Sequence, residues 1–156
     1  MLIFRRITAD DVPQALAFAT EGLRPERSRM VFSPARTEAV VRHFERSQTD
    51  FHLAAFDGDR MVGLVAAAVG DMPFFERCEA HVYVLYATVP IVGRVLIRRL
   101  LTWFRNSFHL RRLVWAQNDD ADPRTHRLAQ WCAKKRGMTA QQLTMQVFYK
   151  GVVNGI

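Results

Sequence analysis

Apolar positions in this chain follow two periods. From Val12 to Gly22 they recur at helical spacing, with Val12, Ala15, Leu16 and Ala19 on one face. From Phe51 to Val69 they form short, nearly continuous runs that suit strands. Ahead of the first helix, Leu2 to Ile7 reads as an opening strand, and Thr8 with Asp11 has the spacing of a capping box. Glu21 to Met30 is a charged loop. Ser33-Pro34 starts a second helix with proline at its first position; Val40, Val41 and Phe44 give it a buried side, and it should end near Asp50.

The middle of the chain predicts a hairpin. FHLAAF (51–56) and MVGLVAAAV (61–69) flank Asp57-Gly58, a pair that accepts the positive φ of a tight turn. After a loop at Met72-Pro73, Glu79 to Thr88 alternates. Val82, Val84 and Tyr86 are expected on one side, with His81, Tyr83 and Leu85 on the other. A basic helix follows from about Gly93 to Phe108, carrying Leu96, Leu100, Phe104 and Phe108 at four-residue spacing. Arg111 to Asn118 is a further strand, Pro123 to Gly137 a helix with a glycine stop, and Leu143 to Val152 a closing strand. The order β-α-α-β-β-β-α-β-α-β, with a split of the last strand open, predicts an α/β (α+β) fold. Its sheet should be mixed, mostly antiparallel and of six to seven strands, flanked by about four helices on both faces. No stretch reads as linker, repeat or low-complexity tract, so a single domain over 1–156 is expected.

Composition narrows the class. About half of the residues are apolar (49%) and a quarter charged (24%), which leaves no case for disorder. The longest apolar runs, such as LVAAAV (64–69), are too short to cross a bilayer, and the first residues lack the plan of a secretory signal. A cytoplasmic, membrane-free protein is the expectation. Cys78 and Cys132 stand apart and suggest neither a disulfide framework nor a zinc site, so reduced, buried thiols are expected.

The net charge of +7, from 22 Lys and Arg against 15 acidic residues, favours an anionic partner. The cations are dispersed, from Arg5-Arg6 to Lys134-Lys135-Arg136, and the aromatics follow core spacing, so nucleic acid is disfavoured. Arg111-Arg112 and Lys134 to Arg136 read as solvated faces. The most pointed feature is VLYATVPIVGRVLIRRLL (84–101), where a strand breaks at proline and glycine and becomes a basic helix. A helix start carries unpaired N–H groups and the positive end of the macrodipole, which suits a phosphate. It is equally the ordinary way to end a strand and begin an amphipathic helix.

This order, with its strand-turn-helix, resembles the GCN5-related N-acetyltransferase superfamily over nearly the whole chain. Tyr86, Thr88 and Pro90 match the family's fourth-strand pattern, and Val92, Gly93 and Arg94 its pyrophosphate loop. Of the loop glycines only Gly93 is present, and Thr88 stands where the family has Gln or Arg. Asn118 matches the Asn that ends the fifth strand, Gly137-Met138 matches the later glycine-aromatic pair approximately, and Ala133 stands where many members carry a proton-donating Tyr.

The resemblance implies acetyl-CoA as co-substrate and an amine of a small molecule or protein as acceptor, joined by direct transfer in a ternary complex. It implies cofactor contacts from Tyr86, Ala87, Thr88, Val92, Gly93, Arg94, Val95, Arg98 and Asn118. The splayed backbone near Tyr86 to Thr88 would face the acetyl carbonyl.

Acetyl transfer also needs a base and a proton for the thiolate. Glu79 and His81 are alternatives for the first, on one side of the fourth strand with Tyr83; Tyr83 or Tyr149 could serve the second, while Cys132 reads as core. Phe74-Phe75 could cover the acceptor site or fold onto the core. Asp119, Asp120 and Asp122 lack the glycine and glutamate of a calcium loop, and no metal is expected. A second reading is a catalytically degenerate member of the fold acting as a binding or assembly module, of a kind familiar in phage genomes. Whether two copies pair through the closing strands is open.

Overall fold

A computed structural model describes residues 1–23, 33–72, 75–107, 110–115, 123–135 and 137. Strand β1 (Leu2–Arg5) leads through a 3-10 turn (Ala9–Asp11) to helices α1 (Val12–Leu23) and α2 (Pro34–Arg46). Then come β2 (Phe51–Asp57), β3 (Arg60–Met72), β4 (Phe75–Ala87), α3 (Pro90–Asn106), β5 (Arg112–Trp115) and α4 (Pro123–Lys134). The strands form one sheet in chain order, antiparallel except for the parallel β4–β5 pair. The expected architecture is therefore present with five strands among the described residues. The closing strand proposed at 143–152 lies outside them, as do Tyr149, Asn118, the aspartates at 119, 120 and 122, Phe74, Phe108 and Met138.

Local chemistry explains the element ends. Asp11 accepts from the Thr8 N–H (2.7 Å) and hydroxyl (2.8 Å), which starts the first helical segment as the spacing predicts. Ser33 accepts from the Arg36 N–H (3.3 Å), with Pro34 at the first helical position of α2. That helix stops at Arg46, short of Asp50, because Ser47 leaves helical geometry and the next residues are spent on a polar turn. In the hairpin, Asp57 pairs with Arg60, so the loop residues are Gly58 and Asp59 rather than Asp57 and Gly58; Gly58 holds a φ of 60°.

The two sheet faces bury separate cores. Helices α1 and α2 cover Ala54, Phe56, Met61, Leu64 and Ala66 with Val12, Ala15, Phe18, Val41 and Phe44. On the other face α3 packs Val92, Leu96 and Leu100 over Leu53, Ala55, Val62, Val65 and Val82. Each buried Val, Leu, Phe or Met among them contributes roughly 1.5–3 kcal/mol. Helix α4 closes this side, with fully buried Cys132 and with Ala133 against Ile97 and Leu101. No helix among the described residues is long and apolar enough to cross a membrane.

A polar clamp ties the first residues to the start of β2. Arg5 grips Asp11 with both terminal nitrogens (2.5 and 2.9 Å), and the carboxyl sits far below the usual range because of that pairing. Arg6 donates to His52 Nε2 (3.1 Å) and to the Ser47 carbonyl (2.5 Å). Asp50 is buried, which alone would raise its pKa. The Val69 N–H (2.8 Å), the Ser47 hydroxyl (2.8 Å) and His43 (2.7 Å) outweigh that and lower it. Burial, then the Arg6 charge, push the His52 pKa down to about 4.

Candidate active site

The regular alternation of β4 fails at Tyr83. Ala66 of β3 pairs with Val84 and Ala67 with Val82, so Tyr83 is the extra residue of a β-bulge. The bulge corrects the expected facing. Val82 sits with Leu85 and Ala87 under α3, whereas Val84 and Tyr86 sit under α1 and α2. Glu79, His81 and Tyr83 keep a common side, and Tyr83 stands edge-on to Phe44 of α2 with 53% of its surface exposed. Pairing with β5 runs from Glu79–Arg112 to Val82–Trp115, while β4 continues to Ala87. The strand edge beyond Val82 has no partner among the described residues, and the bulge falls just past the last described pair.

Glu79 is 4% exposed and joins two partners. One oxygen meets His81 Nε2 at 2.6 Å; the other takes the Arg112 guanidinium, with Nε at 2.5 Å. The two residues read as alternative bases form one device, in which a carboxylate held by Arg112 fixes the imidazole of His81. Such a carboxylate favours the tautomer with its proton on Nε2, leaving the Nδ1 lone pair outward. Arg112, read in the sequence as part of a solvated face, is the member that sequence reasoning missed. Only the β4–β5 register brings it opposite Glu79.

Helix α3 begins earlier than its pattern suggests. Pro90 takes the first helical position after Val89, so Gly93 lies inside the first turn and the connection shrinks to Thr88-Val89. The N-cap has no side-chain hydrogen bond and the first turn no acidic residue. The N–H groups of Val92 and Gly93 return to the Val89 carbonyl (3.0 and 3.2 Å). That of Ile91 makes no hydrogen bond among the described residues.

Thr88 gives its N–H to the Val62 carbonyl (3.1 Å), with its hydroxyl 3.3 Å from the same atom. Donors for a bound carbonyl are therefore better sought on the bulged edge than at Thr88. Tyr86 turns its ring to Phe18 (5.0 Å) and its hydroxyl to Glu21 (2.9 Å), so it can offer a ligand only backbone. Val92 is fully buried, and Val95 is half-buried. Arg94 and Arg98 are exposed, one turn apart, and make no ion pair among the described residues.

Two glycines near this corner differ in kind. A Cβ on Gly63 would lie 2.4 Å from Val92 Cγ1 and 2.9 Å from Leu96 Cδ1, so the helix can approach the sheet only because Gly63 lacks one. Among the described residues a Cβ on Gly93 would meet Ala87 Cβ alone, at 3.5 Å. Packing among these residues does not demand Gly93, and they leave the space beside it open to a ligand.

No family model and no curated protein matches the chain. Solved structures do. A predicted acetyltransferase from Clostridium acetobutylicum with acetyl-CoA shares 11% identity at a TM-score of 0.68, over 95% of this chain and 96% of that one. An acetyltransferase of the GNAT family from Streptococcus pneumoniae shares 17% at 0.60, over 88% and 83%. An aminoglycoside acetyltransferase from an uncultured soil metagenomic sample, in complex with sisomicin, shares 14% at 0.61, over 95% of both chains. The chain has the fold of the GCN5-related N-acetyltransferases, as its element order implied.

Proposed function

We propose that the chain is an acetyl-CoA-dependent N-acetyltransferase that passes an acetyl group to an amine by direct transfer in a ternary complex. The observation that carries this reading is the β4–α3 corner. There a bulged strand edge runs into an uncapped helix start with an open flank at Gly93 and two arginines left unpaired among the described residues. A pyrophosphate fits these features: the macrodipole and the Ile91 N–H face it, and Arg94 and Arg98 supply charge where loop glycines are few. Val92 and Gly93 shape the floor, while Tyr86, Ala87 and Thr88 carry the strand backbone past the thioester. Val95 supports the helix, and Asn118, outside the described residues, is assigned to the cofactor by the resemblance alone. The first structure compared above, which holds acetyl-CoA, shares this fold.

His81, oriented by Glu79, accepts the amine proton as the nitrogen attacks the thioester carbonyl. The C–N bond forms and the C–S bond breaks. Tyr83, exposed two residues on, returns a proton to the thiolate. Backbone donors on the β4 edge stabilise the oxyanion.

Isothermal titration with acetyl-CoA, with turnover over a panel of amines, tests the reading. Micromolar binding, about 8 kcal/mol, is expected for the chain and for His81→Gln alike, with turnover of the variant down roughly a hundredfold. Absence of acetyl-CoA binding would refute it. The second reading, a binding module without catalysis, draws support from Pro90 and from the N–H groups that turn back on Val89. Binding without turnover on any amine would favour it.

A further inference from the structure

A cavity of about 190 Å³ lies between the sheet and helices α1 and α2. Its walls are apolar: Val40, Val41 and Phe44 from α2, Leu64 and Ala66 from β3, and Val84 from β4. Tyr83 and Arg36 also line it, and both are exposed, which marks the side open to solvent. The polar groups inside are already used or uncharged. The Thr37 hydroxyl donates to the Ser33 carbonyl (3.1 Å), and the His52 ring, held neutral by burial and Arg6, accepts from that arginine. Among the described residues Arg36 is the one charged group facing the space, and it makes no ion pair with them.

Size and polarity together choose a ligand. A dry cavity of about 150 Å³ lined by aliphatic and aromatic side chains accepts benzene, so this one takes a single ring with a few further atoms. A polyhydroxylated amine would have to strip water from many groups against walls that return few hydrogen bonds. We infer that the cavity receives the ring of a small aromatic acceptor and that Arg36 meets a carboxylate beside it, so that the acceptor class is an aromatic amino acid or a close analogue. The inference rests on the transferase reading. Tyr83 and Val84 place the cavity at the bulge of β4, and His81 stands on the same side of that strand.

The test is isothermal titration of the full chain, with and without saturating CoA, against phenylalanine, 2-phenylethylamine and sisomicin. Phenylalanine is expected to bind, 2-phenylethylamine roughly tenfold more weakly for want of the carboxylate, and sisomicin not at all. Arg36→Gln, an exposed change that leaves the core intact, should erase the difference between the first two. Ala66→Leu, which fills the cavity, should weaken both phenyl compounds at least tenfold. Failure of both phenyl compounds to bind, tighter binding of sisomicin, or indifference to Arg36→Gln overturns the assignment even where acetyl-CoA binds. Phenyl binding without any acetyl-CoA binding leaves the cavity's ligand class standing and removes the transferase reading.

Discussion

The N-terminal clamp and the β4–α3 corner are both rich in arginine, and they use it in opposite ways. At the clamp Arg5 has Asp11, Arg6 has His52 and the Ser47 carbonyl, and His43 has Asp50. At the corner Arg94 and Arg98 extend from an uncapped helix start and reach no acceptor among the described residues. Burial explains the acceptors in the first case. His52 and Asp50 are carried into the seam between α2 and β2 and must be paired, because an unmade hydrogen bond there costs about 1–3 kcal/mol. Arg5 and Arg6 are themselves exposed and are paired because Asp11, His52 and the Ser47 carbonyl lie within their reach. Arg94 and Arg98 are exposed too, but they satisfy no buried group among the described residues, so their clustering at a helix start is unexplained by folding alone. The same sequence signal, two cations close together, thus builds the fold in one region and is left over for a ligand in the other.

Charge reversal attacks the corner directly and carries the largest expected effect. Arg94→Glu with Arg98→Glu should push CoA binding below detection, a loss of roughly a thousandfold or about 4 kcal/mol. The thermal midpoint should hardly move, since exposed unpaired charges contribute little to stability. Titration and thermal melts on one preparation check both halves. Unchanged affinity would mean that the corner is as structural as the clamp.

The clamp should respond to acid instead of to ligand. His52 has its pKa lowered from the ordinary 6.5 to about 4, so the unfolded chain binds its proton more readily than the folded one. The stability from keeping this ring neutral is complete above pH 6.5 and is lost as pH falls to 4. It amounts to at most about 3 kcal/mol. Asp11 and Asp50, whose pKa values are also lowered, give up their share only as pH falls below their ordinary carboxylate range near 4. Urea titrations from pH 7 to 4 should show this decline, and His52→Gln should flatten it. A decline that persists in the variant would place the acid sensitivity elsewhere.

What could be read from the sequence divides along the same line. Capping at Thr8 and Ser33, the Gly58 hairpin and the helical face of Leu96 and Leu100 are local, and short spacing reveals them. The bulge at Tyr83 left no mark in the alternation of HVYVLY, because both phases of that pattern place apolar residues inward. The Glu79–His81–Arg112 set depends on a parallel register between strands 33 residues apart, which no local pattern encodes. The start of α3 departs from the pattern for a different reason. Pro90 looks like a breaker in the sequence, although a proline at the first helical position loses no hydrogen bond.

The glycines sharpen the comparison at its smallest scale. Gly63→Ala drives a methyl into Val92 and Leu96 under the α3 start, so it should destabilise the chain by about 1–3 kcal/mol. Gly93→Ala meets only Ala87 at ordinary contact distance and gains helix propensity, so stability should hold or rise by up to about 1 kcal/mol. Its effect should appear in the acetyl-CoA titration, as a loss of about tenfold if the ligand passes close to that backbone. A Gly93→Ala chain that melts higher and binds acetyl-CoA unchanged would show that the open flank is not where the phosphates lie. Loss of affinity together with a higher melting point is the result expected when a ligand occupies the space that the described residues leave beside Gly93.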